Sequence, residues 1–228
     1  MEPDGGPSAS ASAPAGGGVG YWRERARALG ARAVLSTDHD ADVDEITAAH
    51  RAFLLPELAA LLPVGRGPDR TVLDLGCGSG RLTADLAALV GRAIGVDPVP
   101  EMLALAPAAP GVEYRLLEDP GGPLPVGDGE VDVVFTCLVL GGIQDTAALA
   151  ALGAELQRVL APGGIVMLAE SVSDRAAVGH WTFRSVADYA AAMRWAGLEV
   201  VARFDDAGDA VSVLAGRRPA VQHAALRG

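Results

Sequence analysis

Short apolar runs and longer amphipathic stretches alternate along most of this chain. The runs Val72–Leu75 (interrupted by Asp74), Ala93–Val96 (closing on Asp97), Val112–Leu116 and Val131–Thr136 read as strands, as do Ile165–Ala169, Gly197–Val201 and Val211–Ala215. Between them, Leu82, Leu86, Leu89 and Val90 recur at a helical period, and Pro100-Glu101-Met102-Leu103 opens another helix. Thr146 to Leu160 places Leu149, Leu152, Leu156 and Leu160 on one face. Ser185-x-x-Asp188 looks like a variant capping box for a helix over Val186 to Trp195. The link Phe204 to Ala210 is short and polar, so the last two strands should form a hairpin. Strands alternating with helices predict an α/β fold: a mostly parallel sheet with helices on both faces.

Ahead of this core the pattern changes. Residues 1–20 are mostly Gly, Pro, Ala and Ser, have little to bury, and are expected to be disordered. Order is expected from Tyr21-Trp22, with a helix over Arg23 to Val34 and a polar break at Ser36–Asp40. A second helix from about Asp42 has Ile46, Ala49, Phe53 and Leu54 on one face. Pro56 should end or kink it, with Glu57 to Leu62 continuing as a short helix. The organisation expected is a disordered tail (1–20), a helical N-terminal flank or lid (21–66), a core (67–218) and a flexible C-terminal tail (219–228).

The most informative stretch joins the first core strand to the helix after it. It reads Val72-Leu73-Asp74-Leu75-Gly76-Cys77-Gly78-Ser79-Gly80-Arg81. Glycines at alternate positions allow a tight turn and close approach of a ligand, and helix N–H groups would point at that ligand. The dinucleotide pattern G-x-G-x-x-G is not met, because Arg81 stands where the third glycine belongs. An N–H-rich loop beside Asp74 suits an amino-acid tail better than a pyrophosphate. About twenty residues on, Asp97 ends the next strand, where a ribose-binding carboxylate is expected; it could equally cap the segment after Pro98.

These residues resemble motif I of the class I S-adenosylmethionine-dependent methyltransferases, V-L-D-L-G-C-G-x-G. Arg158-Val159-Leu160-Ala161-Pro162-Gly163-Gly164 is similar to that family's link into its fifth strand, where Pro and Gly end the helix and start the strand. The resemblance runs from about Val72 to Ala215. It implies a seven-stranded sheet with the last strand antiparallel, and S-adenosylmethionine as cofactor. By that resemblance the cofactor site comprises Asp74, Gly76, Cys77, Gly78, Gly80, Asp97, Pro98 and Met102, with Glu118 or Asp119 near adenine and Cys137-Leu138 at the exit of the fourth strand. Met102 could lie against adenine or be an ordinary helix residue. The extra Gly121-Gly122 leaves open which of Glu118 and Asp119 serves. Two motifs are absent. No N-P-P-Y or D-P-P-Y follows the fourth strand, and Leu140-Gly141-Gly142-Ile143 stands where many small-molecule members read L-H-H-I.

A general base, if needed, must then come from elsewhere. His180, beside Trp181 in the loop after the fifth strand, is the first candidate and could also be a plain surface histidine. His39 and His50 lie in the flank, and His223 lies in the tail. Acceptor contacts are expected from Tyr21, Trp22 and Trp181, although Trp181 could simply anchor its loop. Across 228 residues the net charge is −11, which argues against a nucleic-acid-binding surface. No apolar run reaches the ~18 residues of a membrane span, and there is no signal-peptide pattern. Two cysteines without metal-ligand spacing suit a reducing cytoplasm, and no metal is expected. The expected activity is methyl transfer to a small-molecule acceptor. Transfer to a protein or peptide terminus, or a non-catalytic cofactor-binding regulatory or partner protein, are the alternatives.

Overall fold

In the computed structural model, residues 18–34, 42–63, 69–206 and 208–220 are described. The Ser36–Asp40 break, His39, His223 and most of both tails lie outside them. Within the described residues the expected sheet is present. Its strands are β1 (Arg70–Leu75), β2 (Gly91–Asp97), β3 (Val112–Leu116), β4 (Val131–Cys137), β5 (Leu160–Ser171), β6 (Glu199–Asp206) and β7 (Asp209–Arg217). Their spatial order is β3-β2-β1-β4-β5-β7-β6. The first five strands pair in parallel; β7 runs antiparallel to both β5 and β6. The order reverses beside β1, between β2 and β4, and such switch points leave a crevice at the strands' carboxyl ends.

Alternation along the strands builds two cores. Leu73, Ile94, Val96, Val134, Val166 and Leu214 face α5 (Thr146–Val159) and α6 (Val186–Ala192). Val72, Ala93, Val133, Phe135, Ile165 and Val213 face α2 (Val43–Leu61) and α3 (Thr83–Val90). A smaller cluster of Ala26, Ala33, Val99 and Met102 joins α1 (Val19–Leu29) and the 3-10 turn after it, Gly30–Val34, to α4 (Pro100–Leu103).

Several expectations change. The first helix begins at Val19, before Tyr21, and closes at Gly30, whose φ of 56° suits glycine. Pro56 does not end α2, which runs on to Leu61. The missing N–H costs one helix bond, and Leu54 and Leu58, both fully buried on either side of it, hold the helix to the sheet. The inner face of α2 is Thr47, His50, Leu54 and Leu58, whereas Ala49 is exposed. Pro162-Gly163-Gly164 lies inside β5 as a bulge against β4, where Val131 pairs Leu160 but Val133 pairs Ile165. α6 stops at Ala192, short of Trp195. Phe204–Asp206 and Ala210 belong to paired strands, so the hairpin link is much shorter than expected. The capping box is present: Ser185 Oγ accepts from the Asp188 N–H, and the Asp188 carboxylate accepts from the Ser185 N–H.

Candidate functional site

The glycine loop sits at the carboxyl ends of β1 and β2. Gly76, Gly78 and Gly80 have φ of 69°, 56° and 75°, a region where side chains are strained. A Cβ on Gly76 would lie 2.5 Å from Val139, one on Gly80 2.3 Å from the Tyr114 hydroxyl, and one on Gly78 3.1 Å from Val34. The loop is thus a cradle that only glycine can form. Its N–H groups, expected to face a ligand, turn inward instead. Those of Gly76 and Cys77 donate to the Val96 carbonyl at 2.7 and 3.2 Å, and that of Gly80 to the Cys77 carbonyl. The Gly78 N–H donates to Asp97 Oδ2 at 2.9 Å. These four N–H groups are thus engaged within the protein, and the loop is set apart by its shape and by the carboxylates beside it.

Those carboxylates are both buried, Asp74 to 4% and Asp97 to 7% exposure. Asp74 Oδ2 accepts from the Thr83 hydroxyl at 2.6 Å. Burial pushes its carboxyl up to about 6, against the opposing pull of that hydrogen bond and of Arg81. Asp97 Oδ1 accepts from the Val99 N–H, so it forms a turn ahead of α4, whose N-cap is Val99 and not Asp97. Burial raises Asp97 to about 6 as well, although its two backbone hydrogen bonds favour the charged form. Each oxygen keeps a further lone pair. Buried carboxylates raised by desolvation gain most from an ammonium or hydroxyl donor, so the site fits the ammonium and ribose of an adenosyl-amino-acid cofactor.

Met102 is buried against the flank, with its methyl carbon 3.4 Å from where a Gly78 Cβ would be. Pro98 is half-buried between Asp97 and Val99. Glu118 and Asp119 are exposed, and the inserted Gly121-Gly122 explains Asp119: its carboxylate accepts from the Gly121 N–H and closes its own turn. Cys77 is buried beneath the loop, where burial and the two aspartates push its thiol up. Cys137 and Leu138 are half-buried at the end of β4. Among the described residues, Leu138, with φ of 56°, is the non-glycine residue in the left-handed region, held there by its N–H donating to the Ala169 carbonyl. Asp74, Gly76, Cys77, Arg81, Leu82 and Cys137 line a cavity of about 20 Å³. That is far below the ~300 Å³ or more of a typical ligand pocket.

The flank and the loop after β5 do meet. The rings of Tyr21 and His180 stack at 4.0 Å, and Trp22 meets His180 edge-on at 5.4 Å. Trp181 is buried, and a Cβ on Gly141 would lie 2.1 Å from its indole; one on Gly142 would lie 3.5 Å from Trp22. This explains the missing histidine at 141, where the Trp181 indole occupies the space of a side chain; the Trp22 contact at 142 is an ordinary one and excludes nothing.

Sequence reasoning missed the contacts of three residues, of which only His50 was named as a candidate, for a base in the flank. Arg81 reaches back to the flank, its guanidinium donating to Thr47 Oγ1 at 3.0 Å. Glu170, fully buried at the end of β5, accepts from the N–H groups of Val139 and Leu140 at 3.0 and 2.9 Å and so fixes the turn after β4. His50 bonds Asp206 at 2.8 Å. The tertiary fold makes each contact, and no local spacing marks it. Among the described residues no His, Cys, Asp or Glu cluster is suited to a metal, and no helix is long and apolar enough to cross a membrane.

Comparison with known proteins places the surrounding domain among relatives. Residues 72–164 match the family model of a methyltransferase domain. Phosphoethanolamine N-methyltransferase 1 of Triticum aestivum is 29% identical over 156 residues, 66% of this chain and 29% of that protein. An uncharacterized methyltransferase of Mycobacterium sp. (strain KMS) is 36% identical over 126 residues, 55% of this chain and 47% of its own. The chain thus spans less than half the length of these curated relatives. The solved DhpI–SAH complex superposes with a TM-score of 0.63 at 23% identity, covering 88% of this chain and 95% of that one. Residues 72–164 thus carry a methyltransferase domain, set in a fold that the DhpI–SAH complex shares. S-adenosylmethionine is the cofactor that goes with this domain.

Proposed function

We propose that the protein transfers a methyl group from S-adenosylmethionine to a small-molecule acceptor. The observation that carries this reading is the pair of buried carboxylates, Asp74 and Asp97, on either side of a loop that only glycine can form. When bound, the cofactor supplies an electrophilic methyl on a sulfonium. In this reading Asp74 takes the ammonium, Asp97 the ribose hydroxyls and Met102 one face of the adenine.

The acceptor side is proposed at the exits of β4 and β5. Tyr21, Trp22 and Trp181 would wall it, and His180 would serve as base or hydrogen-bond partner. The flank would act as a lid that excludes water and aligns the acceptor. Such an enclosure suits a small molecule better than a polypeptide, and a net charge of −11 suits nucleic acid poorly. Phosphoethanolamine belongs on the acceptor panel because the relative from Triticum aestivum is named for it. Two free cysteines fit a reducing compartment, so a cytoplasmic location is part of the proposal.

Calorimetry with S-adenosylmethionine, S-adenosylhomocysteine and NAD, on the natural chain and on Asp97→Ala, tests the cofactor half. Binding of the first two and not NAD is expected. A charge-assisted hydrogen bond contributes on the order of 1.5–3 kcal/mol, so the variant should bind at least about tenfold more weakly. NAD binding alone would overturn the reading. A metabolite panel with labelled methyl donor tests the transfer.

A further inference from the structure

Three side chains from three distant segments converge beside the cavity. Cys137, at the end of β4, lines it. His50, on α2, is only 2% exposed and turns Nδ1 to the Cys137 sulfur at 3.9 Å. Its other nitrogen, Nε2, lies 2.8 Å from Asp206 Oδ1 at the end of β6. An ionised carboxylate can only accept, so Nε2 carries the proton of the neutral ring. Nδ1 then presents its lone pair to the thiol, which donates. Phe204 meets the imidazole edge-on at 5.7 Å and helps fix its plane.

We propose that Cys137, His50 and Asp206 form a proton relay for the acceptor, which rests on the methyl-transfer reading above. In the balanced step the acceptor's X–H lone pair forms the new bond to the methyl carbon. The carbon–sulfur bond of the methyl donor breaks, and its electron pair stays on sulfur. The acceptor's proton passes to the Cys137 sulfur as the thiol proton passes to His50 Nδ1. The resulting imidazolium is stabilised by Asp206 and later loses its proton to water. His50 thus acts through Cys137 as a positioning and proton-holding residue.

The groups facing this chain are Asp206 and Cys137 on His50, with Arg81, Glu170, Asp206 and Asp74 acting on Cys137. Burial pushes the Cys137 thiol up to about 12, so the sulfur relays a proton within one step and does not wait as a thiolate. The relay also narrows the acceptor. A tertiary amine or thioether has no proton to lose, whereas a hydroxyl or a neutral primary or secondary amine has both the lone pair and the proton.

The test is kcat against pH, from 6 to 9, for the natural chain, His50→Gln and Asp206→Asn on an acceptor found by the panel. General-base groups typically contribute 10²–10⁴-fold. We expect kcat near pH 7 to fall about 100-fold in His50→Gln and about 10-fold in Asp206→Asn, with both losses shrinking as pH rises. Cofactor affinity should stay within about twofold. If His50→Gln keeps the natural kcat and pH profile, the relay is wrong while methyl transfer stands. A fall in kcat with cofactor affinity falling alongside and an unchanged pH profile would mean that the pair only pins α2 to β6, which also overturns the relay. If His50→Gln does not fold, Asp206→Asn decides on the same criteria. A natural chain that binds S-adenosylmethionine but methylates nothing on the panel overturns the methyl-transfer reading, and the relay with it.

Discussion

At the scale of single residues, Glu170 places a carboxylate where no water reaches it. One oxygen accepts from two backbone N–H groups and the Thr136 hydroxyl, while Oε2 has no partner. Burial pushes the carboxyl up to about 7 from an ordinary 4.5, more than those hydrogen bonds lower it. The folded protein therefore holds more protons than the unfolded chain between these values. Stability contributed by the protonated form is fully present below pH 4.5 and is lost as pH rises through 7. Glu170→Gln keeps an oxygen for the N–H groups and cannot ionise. Urea unfolding at pH 5 and pH 8 should show the variant gaining on the natural protein by on the order of 3 kcal/mol, at about 1.36 kcal/mol per pKa unit. Asp74 and Asp97 add similar slopes to both proteins and cancel in the difference. A gap that does not change with pH would refute the assignment. Asp74, Asp97 and the three loop glycines could be singled out in the sequence because a strand, a glycine-rich turn, a helix and a second strand ending in an acid follow one another at a readable spacing. The Arg81–Thr47 and His50–Asp206 contacts were not, since 34 and 156 positions separate the partners.

At the scale of elements, period and composition located every strand, because each strand's alternation is fixed by two cores that bury opposite faces. The boundaries were harder to read. Pro56 and the Pro162-Gly163-Gly164 bulge are both breakers in isolation, and each is overridden by packing or pairing around it. The face of α2 was misread for a different reason: two of its four buried positions, Thr47 and His50, are polar and satisfied by partners elsewhere in the chain. The flank yields a prediction at this scale. Arg23 and Arg27 both reach Glu101, at 3.3 and 2.7 Å, and so hold α1 on α4. A hydrogen bond from its own backbone N–H, then those from Arg23 and Arg27, hold the Glu101 carboxyl down at about 2. Val34, carried by the same flank, covers Gly78. Glu101→Ala should loosen the cover, and stopped-flow mixing should then show faster association of S-adenosylhomocysteine than in the natural protein. An unchanged association rate would mean that the flank does not gate the loop.

At the scale of the whole molecule, α2 ties the first half of the chain to the last. His50 bonds Asp206, Arg217 donates to the Leu61 carbonyl at 2.6 Å, and Thr47 holds Arg81 beside the cavity. The surface pair Arg51–Asp85, at 2.7 Å, adds little, because exposed ion pairs are typically worth under ~1 kcal/mol. What fixes α2 is apolar burial: Leu54 and Leu58 are fully enclosed with Val72, Leu86, Phe135 and Val213. Leu58→Ala should therefore cost about 2–5 kcal/mol, the range for a buried Leu truncated to Ala. It should also weaken cofactor binding, since Thr47 and its hold on Arg81 ride on the same helix. A ligand that binds only the folded state at a hundred times its dissociation constant adds ~2.7 kcal/mol of stability. Urea unfolding with and without one fixed concentration of S-adenosylhomocysteine separates the two effects. If α2 only supports the sheet, both proteins gain the same increment from the ligand. If α2 also sets the cofactor site, through the Thr47 hydrogen bond to Arg81, the variant gains less than the natural chain. Equal increments would confine α2 to a structural role.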